Sequence, residues 1–220
     1  MHDIRFSGEQ ILARQLELAE QVRKRLAEQS VHAVGFMGAI GSGKTSLIER
    51  IMERLSSCDV RYGAIAGDSA GDDDHRRFLS HGAVSVNLNT CDDCHLDAHR
   101  VSHALDQIPL ESLDVLFIEN VGNLICPVDF PLGTAVDAVV ISVTEGDDIV
   151  RKHPKIFTQN DVLVINKIDL ASAVNVDPQV LVRDYLVLNP HGRVLLTNAS
   201  SAEGIDDLMT ALEIPCTSTP

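Results

Sequence analysis

The chain has 220 residues, 45% of them hydrophobic, and carries a formal net charge of −14 at pH 7. A chain of this length can bury one sizeable core, and no apolar run approaches the roughly 18 residues that a transmembrane helix needs. Lys and Arg number 18 against 32 Asp and Glu. Because basic side chains make the phosphate contacts that dominate nucleic-acid binding, we expect no nucleic-acid partner. Because no apolar run is long enough to span a bilayer, we also expect no membrane partner.

The first ten residues lack a basic flank followed by an apolar run, so we expect no secretory signal and a cytoplasmic location. The chain contains five cysteines. In a reducing compartment, metal ligation or burial is favoured for them over disulfides.

The elements alternate along the chain after an amphipathic helix at 8–29. We predict strands at 31–37, 61–67, 83–89, 113–120, 135–143, 161–167 and 193–199, and helices at 43–55, 74–82, 95–108, 178–188 and 203–212, with one more helix before the strand at 161–167. Several strands are apolar on both faces, as in central strands that helices cover. The pattern predicts an α/β fold with an open, mostly parallel sheet and helices on both faces.

A glycine-rich loop follows the first strand. Residues 38–45 match G-x-x-x-x-G-K-T between a strand and a helix, which is the phosphate-binding P-loop. Its backbone amides and the N-terminus of the helix attract phosphate oxygens, Lys44 adds charge for the β and γ phosphates, and the Thr45 hydroxyl is a ligand for Mg²⁺. The predicted nucleotide contacts here are Gly38, Ile40, Gly41, Ser42, Gly43, Lys44, Thr45 and Ser46.

A second motif points to guanine. Asn166, Lys167 and Asp169 end an apolar strand and resemble the N-K-x-D motif of GTPases. A carboxylate at Asp169 can accept the N1 and N2 hydrogens of guanine, whereas adenine offers no matching donors. Ala199, within Asn-Ala-Ser, resembles the loop whose backbone N–H contacts the guanine oxygen.

The string from Cys91 to His95 reads C-x-x-C-H, the spacing of c-type haem attachment and, in its first part, of zinc or redox sites. Haem is disfavoured because its periplasmic maturation does not fit a chain without a signal. We expect Cys94 and His95 at a helix N-terminus, where the dipole favours a thiolate. Cys126, before Pro127, is expected to end a strand at the same edge of the sheet. The alternative is that both cysteines are buried small apolar groups.

These motifs, together with the strings at 94–99, 117–130 and 142–154, resemble HypB, the GTPase family that assists nickel insertion into [NiFe]-hydrogenase. The related urease GTPase has Cys-Pro-His at the second string, whereas Val128 follows Pro127 here, which favours the hydrogenase branch. We therefore divide the chain into an N-terminal helix at 1–29, a GTPase domain at 30–214 and a frayed tail at 215–220.

The resemblance implies roles for individual residues. Asp68 would lie near Mg²⁺ and the attacking water, and Glu119 and Gly122 stand where other GTPases have the γ-phosphate sensor D-x-x-G. The implied catalytic residues are Lys44, Asp68 and Glu119; the implied Mg²⁺ ligands are Thr45 and Asp68; the implied Ni²⁺ or Zn²⁺ ligands, at a dimer interface, are Cys94, His95 and Cys126. The residues leave open whether Cys91 or His99 adds a ligand.

The resemblance implies GTP and GDP, Mg²⁺, and Ni²⁺ or Zn²⁺ as ligands. It also implies a GTP-promoted homodimer, a nickel chaperone partner and the hydrogenase large subunit. The leading hypothesis is a GTPase switch whose dimer closure assembles or deforms the metal site. One alternative is a metal chaperone in which nucleotide mainly controls dimerisation. Another is a small-molecule kinase that uses the same P-loop with ATP.

Overall fold

The sheet is built from seven strands in the protein's structure, a computed structural model that describes residues 8–90, 95–160 and 162–216. The strands are β1 (His32–Gly38), β2 (Tyr62–Asp68), β3 (Val84–Asn89), β4 (Val115–Glu119), β5 (Val136–Ser142), β6 (Val162–Asn166) and β7 (Arg193–Leu196). Their order is β3-β2-β4-β1-β5-β6-β7, and every neighbouring pair is parallel. The predicted open α/β sheet is therefore confirmed.

The helices follow the strands in alternation. They are α1 (Gly8–Glu28), α2 (Lys44–Leu55), α3 (Asp73–Ser80), α4 (Ala98–Leu105), α5 (Ile149–Lys152), α6 (Pro154–Thr158), α7 (Pro178–Leu188) and α8 (Ile205–Ala211). The single helix expected before β6 is two short helices. Proline has no N–H to continue a helix but suits the first helical position, so Pro154 ends α5 and begins α6.

Helices cover both faces of the sheet, and for this reason β4 and β6 are buried along their whole length. Alternate residues of the strands point to opposite sides. Phe36 and Phe117 pack with α2 and α8, whereas Leu116 and Ile118 pack with α1 and α4. Phe157 and Tyr185 form a third apolar cluster with β5 and β6. The strand ends that carry the sequence motifs are thereby held on a rigid platform.

Helix α1 packs directly on this platform. Arg25 donates to the Asp106 carboxylate at 2.7 Å and to the carbonyl oxygen of Leu105 at 3.0 Å, next to the C-terminus of α4. Gly133 has φ +84°, and a Cβ there would lie 2.3 Å from the Ala19 carbonyl oxygen. Only glycine permits this close approach between α1 and the chain before β5.

The boundaries around two predicted metal ligands differ from expectation. Helix α4 begins at Ala98, with Asp97 as its N-cap accepting from the Arg100 N–H, so His95 precedes the helix and does not lie at its first turn. Cys126 does not end a strand, because β4 ends at Glu119 and Cys126 begins a 3₁₀ helix, Cys126–Asp129. An apolar string does not reveal where pairing with a neighbouring strand stops.

The expectation that disulfides are absent is also wrong. Cys58 and Cys216 are joined by a disulfide, with Cα atoms 6.1 Å apart across a sequence separation of 158 residues. The segment that follows α8 therefore lies against the turn that follows α2, which composition alone could not indicate. In the described parts of the chain, no helix combines the length and apolar character needed to cross a membrane.

Candidate nucleotide and metal site

The candidate site lies at the carboxyl edge of the sheet, where parallel strands deliver their following loops together. One cavity of about 420 Å³ is lined by residues after β1, β2 and β4; those used below are Lys44, Thr45, Asp68, Glu119, Asn120 and Gly122. A second cavity of about 400 Å³ is lined by residues after β6 and β7, including Asn166, Asp169 and Ala199. Gly43, Ser46 and Lys167 line both, so the P-loop separates a phosphate cavity from a base cavity.

The P-loop backbone is shaped by its glycines. Gly41 and Gly43 have φ +78° and +101°, and a Cβ on Gly43 would lie 2.3 Å from the Asn166 amide nitrogen. No atom lies within 4 Å of a Cβ built on Gly41, and the Ile40 side chain is exposed. The buried Ser42 hydroxyl has no hydrogen-bond partner among the described residues. An open loop with an unpaired hydroxyl suits a bound phosphate group.

Glu119 holds the two P-loop side chains that the sequence assigns to phosphate and Mg²⁺. The Thr45 hydroxyl donates to Glu119 Oε1 at 2.9 Å, and the Lys44 ammonium lies 3.8 Å from the same oxygen. Burial raises the pKa of Glu119 to about 7, although Lys44 and Thr45 act in the opposite direction. Glu119 Oε2 has no hydrogen-bond partner in the described residues. A carboxyl group with this pKa can be charged or neutral near pH 7.

Asp68 ends β2 at the side of the phosphate cavity. Its side chain is half-buried, and its backbone oxygen accepts the Thr90 N–H at 2.8 Å, which ties the end of β2 to the residue after β3. Gly71 lies close to the carboxylate, since a Cβ there would approach Oδ2 to 2.6 Å. Asp68 therefore faces the same cavity as Lys44 and Glu119. Asp72 is the N-cap residue of α3, but its side chain makes no capping hydrogen bond and instead pairs with Arg76 at 2.9 Å.

The base cavity is organised by the buried Asn166. Its amide nitrogen donates to the Ser42 carbonyl oxygen at 2.9 Å, and its oxygen accepts from the Thr197 hydroxyl and the Ala199 N–H, both at 3.2 Å. These contacts join the P-loop to the loop after β7. Arg50 of α2 adds a hydrogen bond of 2.7 Å to the Ala199 carbonyl oxygen. The Asp169 side chain is exposed at the rim of the cavity.

The segment after β4 lies against the P-loop. The Asn120 N–H donates to the Phe36 carbonyl oxygen at 2.9 Å, and Asn123 forms a backbone bridge with Gly38. A Cβ on Gly122 would lie 2.4 Å from Ile40 Cγ1 and 3.0 Å from the backbone nitrogen of Ile40, so a larger residue would displace Ile40. Gly122 therefore sits beside the phosphate loop.

Cys126 belongs to the segment after β4, and His95 contacts the end of that segment through Phe130. The Asn123 side-chain oxygen accepts the N–H groups of Ile125 at 2.7 Å and Cys126 at 3.4 Å, which turns the chain at Cys126. The His95 ring stacks on Phe130, with ring centroids 3.7 Å apart and planes inclined by 24°. Both candidate ligands are half-buried. Phe130 follows the 3₁₀ helix that begins at Cys126, so one short segment contacts His95 and carries Cys126.

The third predicted ligand, Cys94, lies outside the described residues, as do Cys91, Asp92 and Asp93. Within the described ranges no group of three His, Cys, Asp or Glu side chains could hold a metal ion. The predicted set of Cys94, His95 and Cys126 thus stays a prediction. Thiolate and imidazole donors suit Ni²⁺ and Zn²⁺ alike.

His99 and His103 share one exposed face of α4, where their rings meet edge to face with centroids 4.6 Å apart. His95 precedes the helix and is not on this face, so whether His99 adds a metal ligand stays open.

Three residues of this region received no role from the sequence: Asn120, Asn123 and Phe130. All three fall in the string 117–130 that supported the family resemblance. Their importance comes from contacts with residues distant in the sequence or from a local turn. Two asparagines close to a glycine were the signal that could have pointed to a structured turn.

Comparison with known proteins identifies the family. Residues 32–195 match the CobW/HypB/UreG nucleotide-binding domain. The probable hydrogenase maturation factor HypB of Methanocaldococcus jannaschii is 49% identical over 203 residues, which is 92% of this chain and 91% of that protein. Hydrogenase maturation factor HypB of Escherichia coli K12 is 36% identical over 92% of this chain and 70% of its own length.

Among solved structures, HypB of Archaeoglobus fulgidus aligns with a TM-score of 0.84 and 43% identity, covering 91% of this chain and 98% of that one. HypB of Helicobacter pylori, crystallised in complex with nickel, aligns with a TM-score of 0.85 and 29% identity, covering 94% and 99%. The chain therefore belongs to the CobW/HypB/UreG family of P-loop nucleotide-binding proteins, and within that family it belongs with HypB.

Proposed function

We propose that the chain is a GTP-hydrolysing metallochaperone that assists nickel insertion into a hydrogenase. GTP-dependent closure of a homodimer is coupled to a metal site formed by Cys94, His95 and Cys126. The observation that carries this proposal is the single segment 119–126, which runs from the buried carboxyl of Glu119 in the phosphate cavity to Cys126. The names of the relatives and the nickel complex of one of them support the nickel assignment.

Guanine selection rests on the base cavity. Asp169 accepts the hydrogens on N1 and N2 of guanine, and adenine would leave this carboxylate without donors. Asn166 holds the P-loop and the Ala199 loop at a fixed separation through three hydrogen bonds, so the base and the phosphates are read by one connected framework. Ala199 offers its N–H toward the base oxygen.

Hydrolysis uses the phosphate cavity. Lys44 stabilises charge on the γ-phosphate in the transition state, and Asp68 orients or deprotonates the attacking water. Mg²⁺, when held by Thr45 and Asp68, would neutralise charge on the phosphate oxygens. In the nucleotide-free protein, Lys44 and Thr45 both contact Glu119 Oε1, so Glu119 competes with an incoming phosphate for these two side chains. When phosphate binds, it draws Lys44 and Thr45 away from Glu119. The change at Glu119 is transmitted to the segment that follows β4.

The metal step needs two chains. Three ligands from one chain leave a tetrahedral site incomplete, and sharing across a two-fold axis supplies the missing donors. Dimer closure with GTP assembles this site, and hydrolysis reopens it for transfer. A nickel chaperone and the hydrogenase large subunit are the proposed partners, and the proposed compartment is the cytoplasm.

The test is a Ni²⁺ titration with GDP, with a non-hydrolysable GTP analogue and with the matching ATP analogue, with the mass in solution measured in parallel. We expect a dimer and altered Ni²⁺ affinity with the GTP analogue alone. A kinase would instead bind the ATP analogue as tightly as the GTP analogue, and that outcome overturns the proposal. Cys94→Ala and Cys126→Ala should abolish stoichiometric Ni²⁺ binding and spare GTP hydrolysis.

A further inference from the structure

Asn120 connects two segments that are 24 residues apart. It follows Glu119 at the end of β4 and is only 1% exposed. Its side-chain oxygen accepts the N–H of Leu96 at 2.8 Å and the N–H of Val121 at 2.9 Å. Leu96 is the neighbour of His95, and Val121 is the neighbour of Gly122 at the P-loop. One buried carboxamide thus contacts the backbone beside the candidate metal ligand and the backbone beside the phosphate sensor.

The two N–H groups fix the orientation of this carboxamide. Both are donors, so the oxygen must face them and the amide nitrogen must point elsewhere. That nitrogen is buried and has no hydrogen-bond partner among the described residues, while Asn120 lines the phosphate cavity. Leaving a buried donor unpaired is costly, so such a group favours a ligand that brings an acceptor. The acceptors that belong in this cavity are phosphate oxygens.

Movement of the Asn120 oxygen would carry His95 with it. The Leu96 side chain is fully buried against β2, where a Cβ on Gly67 would lie 2.7 Å from Leu96 Cδ1. The buried hydrogen bond ties the Leu96 backbone to the Asn120 oxygen, so a change in the orientation of this carboxamide is transmitted to Leu96 and to its neighbour His95. Val121, which also donates to the Asn120 oxygen, precedes Gly122, and Gly122 lies against the backbone of Ile40 in the P-loop. Asn120 is therefore linked to the P-loop through Val121 and Gly122.

We propose that Asn120 is the positioning residue that couples nucleotide to metal. Its oxygen clamps Leu96 and Val121, and its amide hydrogens bind an oxygen of the γ-phosphate, so that GTP and GDP set different positions of His95. This inference rests on the proposed function, since it requires both a nucleotide and a metal to bind. It adds a residue and a route to that function: phosphate, Asn120 amide, Leu96 backbone, His95.

The test compares Asn120→Ala, which removes donor and acceptor, with Asn120→Asp, which keeps the acceptor oxygen and removes the amide donor. Asn189→Ala is the matched control, because Asn189 is a half-buried asparagine with a side-chain bond of 3.2 Å to the Asn160 carbonyl oxygen, beyond the C-terminus of α7. The measured quantity is the coupling ratio, the Ni²⁺ dissociation constant with GDP divided by that with the non-hydrolysable GTP analogue. Exchange of the Leu96 amide hydrogen is followed by NMR.

We expect a wild-type coupling ratio that differs from one by about 5- to 150-fold, the usual range for linked sites. Asn120→Ala should bring the ratio within about twofold of one and speed exchange of the Leu96 amide, and Asn189→Ala should match the wild type. Asn120→Asp should retain slow Leu96 exchange yet lose coupling. A merely structural asparagine would lower thermal stability in these variants without moving the ratio.

The outcomes separate the two levels of the proposal. A wild-type ratio of one overturns the proposed coupling of GTP to metal and this role with it. A wild-type ratio well away from one that Asn120→Ala preserves overturns only the role of Asn120. Where Asn120→Ala fails to fold, Asn120→Asp decides, and an unchanged ratio in that variant overturns the contact between the amide and phosphate.

Discussion

The phosphate cavity and the base cavity share the P-loop but differ in how their polar groups are paired. Around the base cavity, the buried Asn166 uses both ends of its side chain in hydrogen bonds to three other residues. At the phosphate cavity, Glu119 Oε2 and the Asn120 amide nitrogen are buried without partners among the described residues, and so is the Ser42 hydroxyl in the P-loop. The difference indicates that the hydrogen bonds of Asn166 form a frame for the base cavity before a nucleotide binds. Around the phosphate cavity, by contrast, the pairing of the polar groups changes with the ligand.

The largest effect is expected from Lys44→Ala. Removing the ammonium takes away charge stabilisation of the γ-phosphate and should lower kcat for GTP hydrolysis by about 10²- to 10³-fold. Single-turnover hydrolysis measures this, with Lys24→Ala on the exposed face of α1 as control. If Lys44→Ala still delivers nickel to hydrogenase without hydrolysis, nucleotide serves mainly to control dimerisation, and the switch hypothesis is wrong.

Glu119→Gln tests the buried carboxyl group of the phosphate cavity through the pH dependence of stability. The pKa of Glu119 is about 7 in the folded chain, above its ordinary value of 4.5, because it is buried. The folded state therefore holds its proton more tightly, and this contribution to stability is lost as pH rises from 4.5 to 7. Relative to wild type, Glu119→Gln should gain up to about 3 kcal/mol of unfolding free energy above pH 7 and little near pH 4.5.

Urea unfolding of both proteins from pH 5 to 8 measures that difference. A constant difference across this range would show that Glu119 does not titrate in the folded protein.

Asn166→Ala tests the hydrogen-bonded frame of the base cavity. It leaves the Ala199 N–H and the Ser42 carbonyl oxygen without their partner, so the unfolding free energy should fall by about 2 kcal/mol. Affinity for GTP and GDP should fall together, because the frame serves both. Asp169→Ala is the comparison: Asp169 is exposed, so its loss should weaken guanine nucleotides without changing stability. Equal losses of stability in both variants would contradict the distinction between frame and base contact.

The smallest effect is expected from Ser42→Ala. Removing a buried hydroxyl that has no partner among the described residues should be neutral or stabilising by up to about 1 kcal/mol in the nucleotide-free protein. It should also weaken GTP binding several-fold, measured by calorimetry. Ser46→Ala is the control, since the Ser46 oxygen accepts from Arg77 at 3.0 Å and its loss should destabilise. A destabilised Ser42→Ala protein would show that the hydroxyl is already paired.

Local patterns in the sequence determined the architecture and the family. Alternation of apolar strands with amphipathic helices gave the parallel sheet, and the glycine and lysine pattern at 38–45 located the P-loop, because these features depend on residues close together in the chain. The predicted sites after β1, β2, β4 and β6 meet at one edge because parallel strands all end there. The boundaries of β4 and α4 needed the structure, since pairing partners and capping side chains decide where an element stops.

Contacts between distant residues were decided only by the tertiary structure. Asn120 and Phe130 belong to a string that resembles the family. The hydrogen bond of Asn120 to Leu96 and the stacking of Phe130 on His95, however, involve another loop and could not be predicted from the sequence. The same holds for Cys58 and Cys216, which folding brings together across a sequence separation of 158 residues. Composition and spacing tell which chemical groups are available. Burial and packing of loops from separate strands decide which of those groups meet and which are left unpaired.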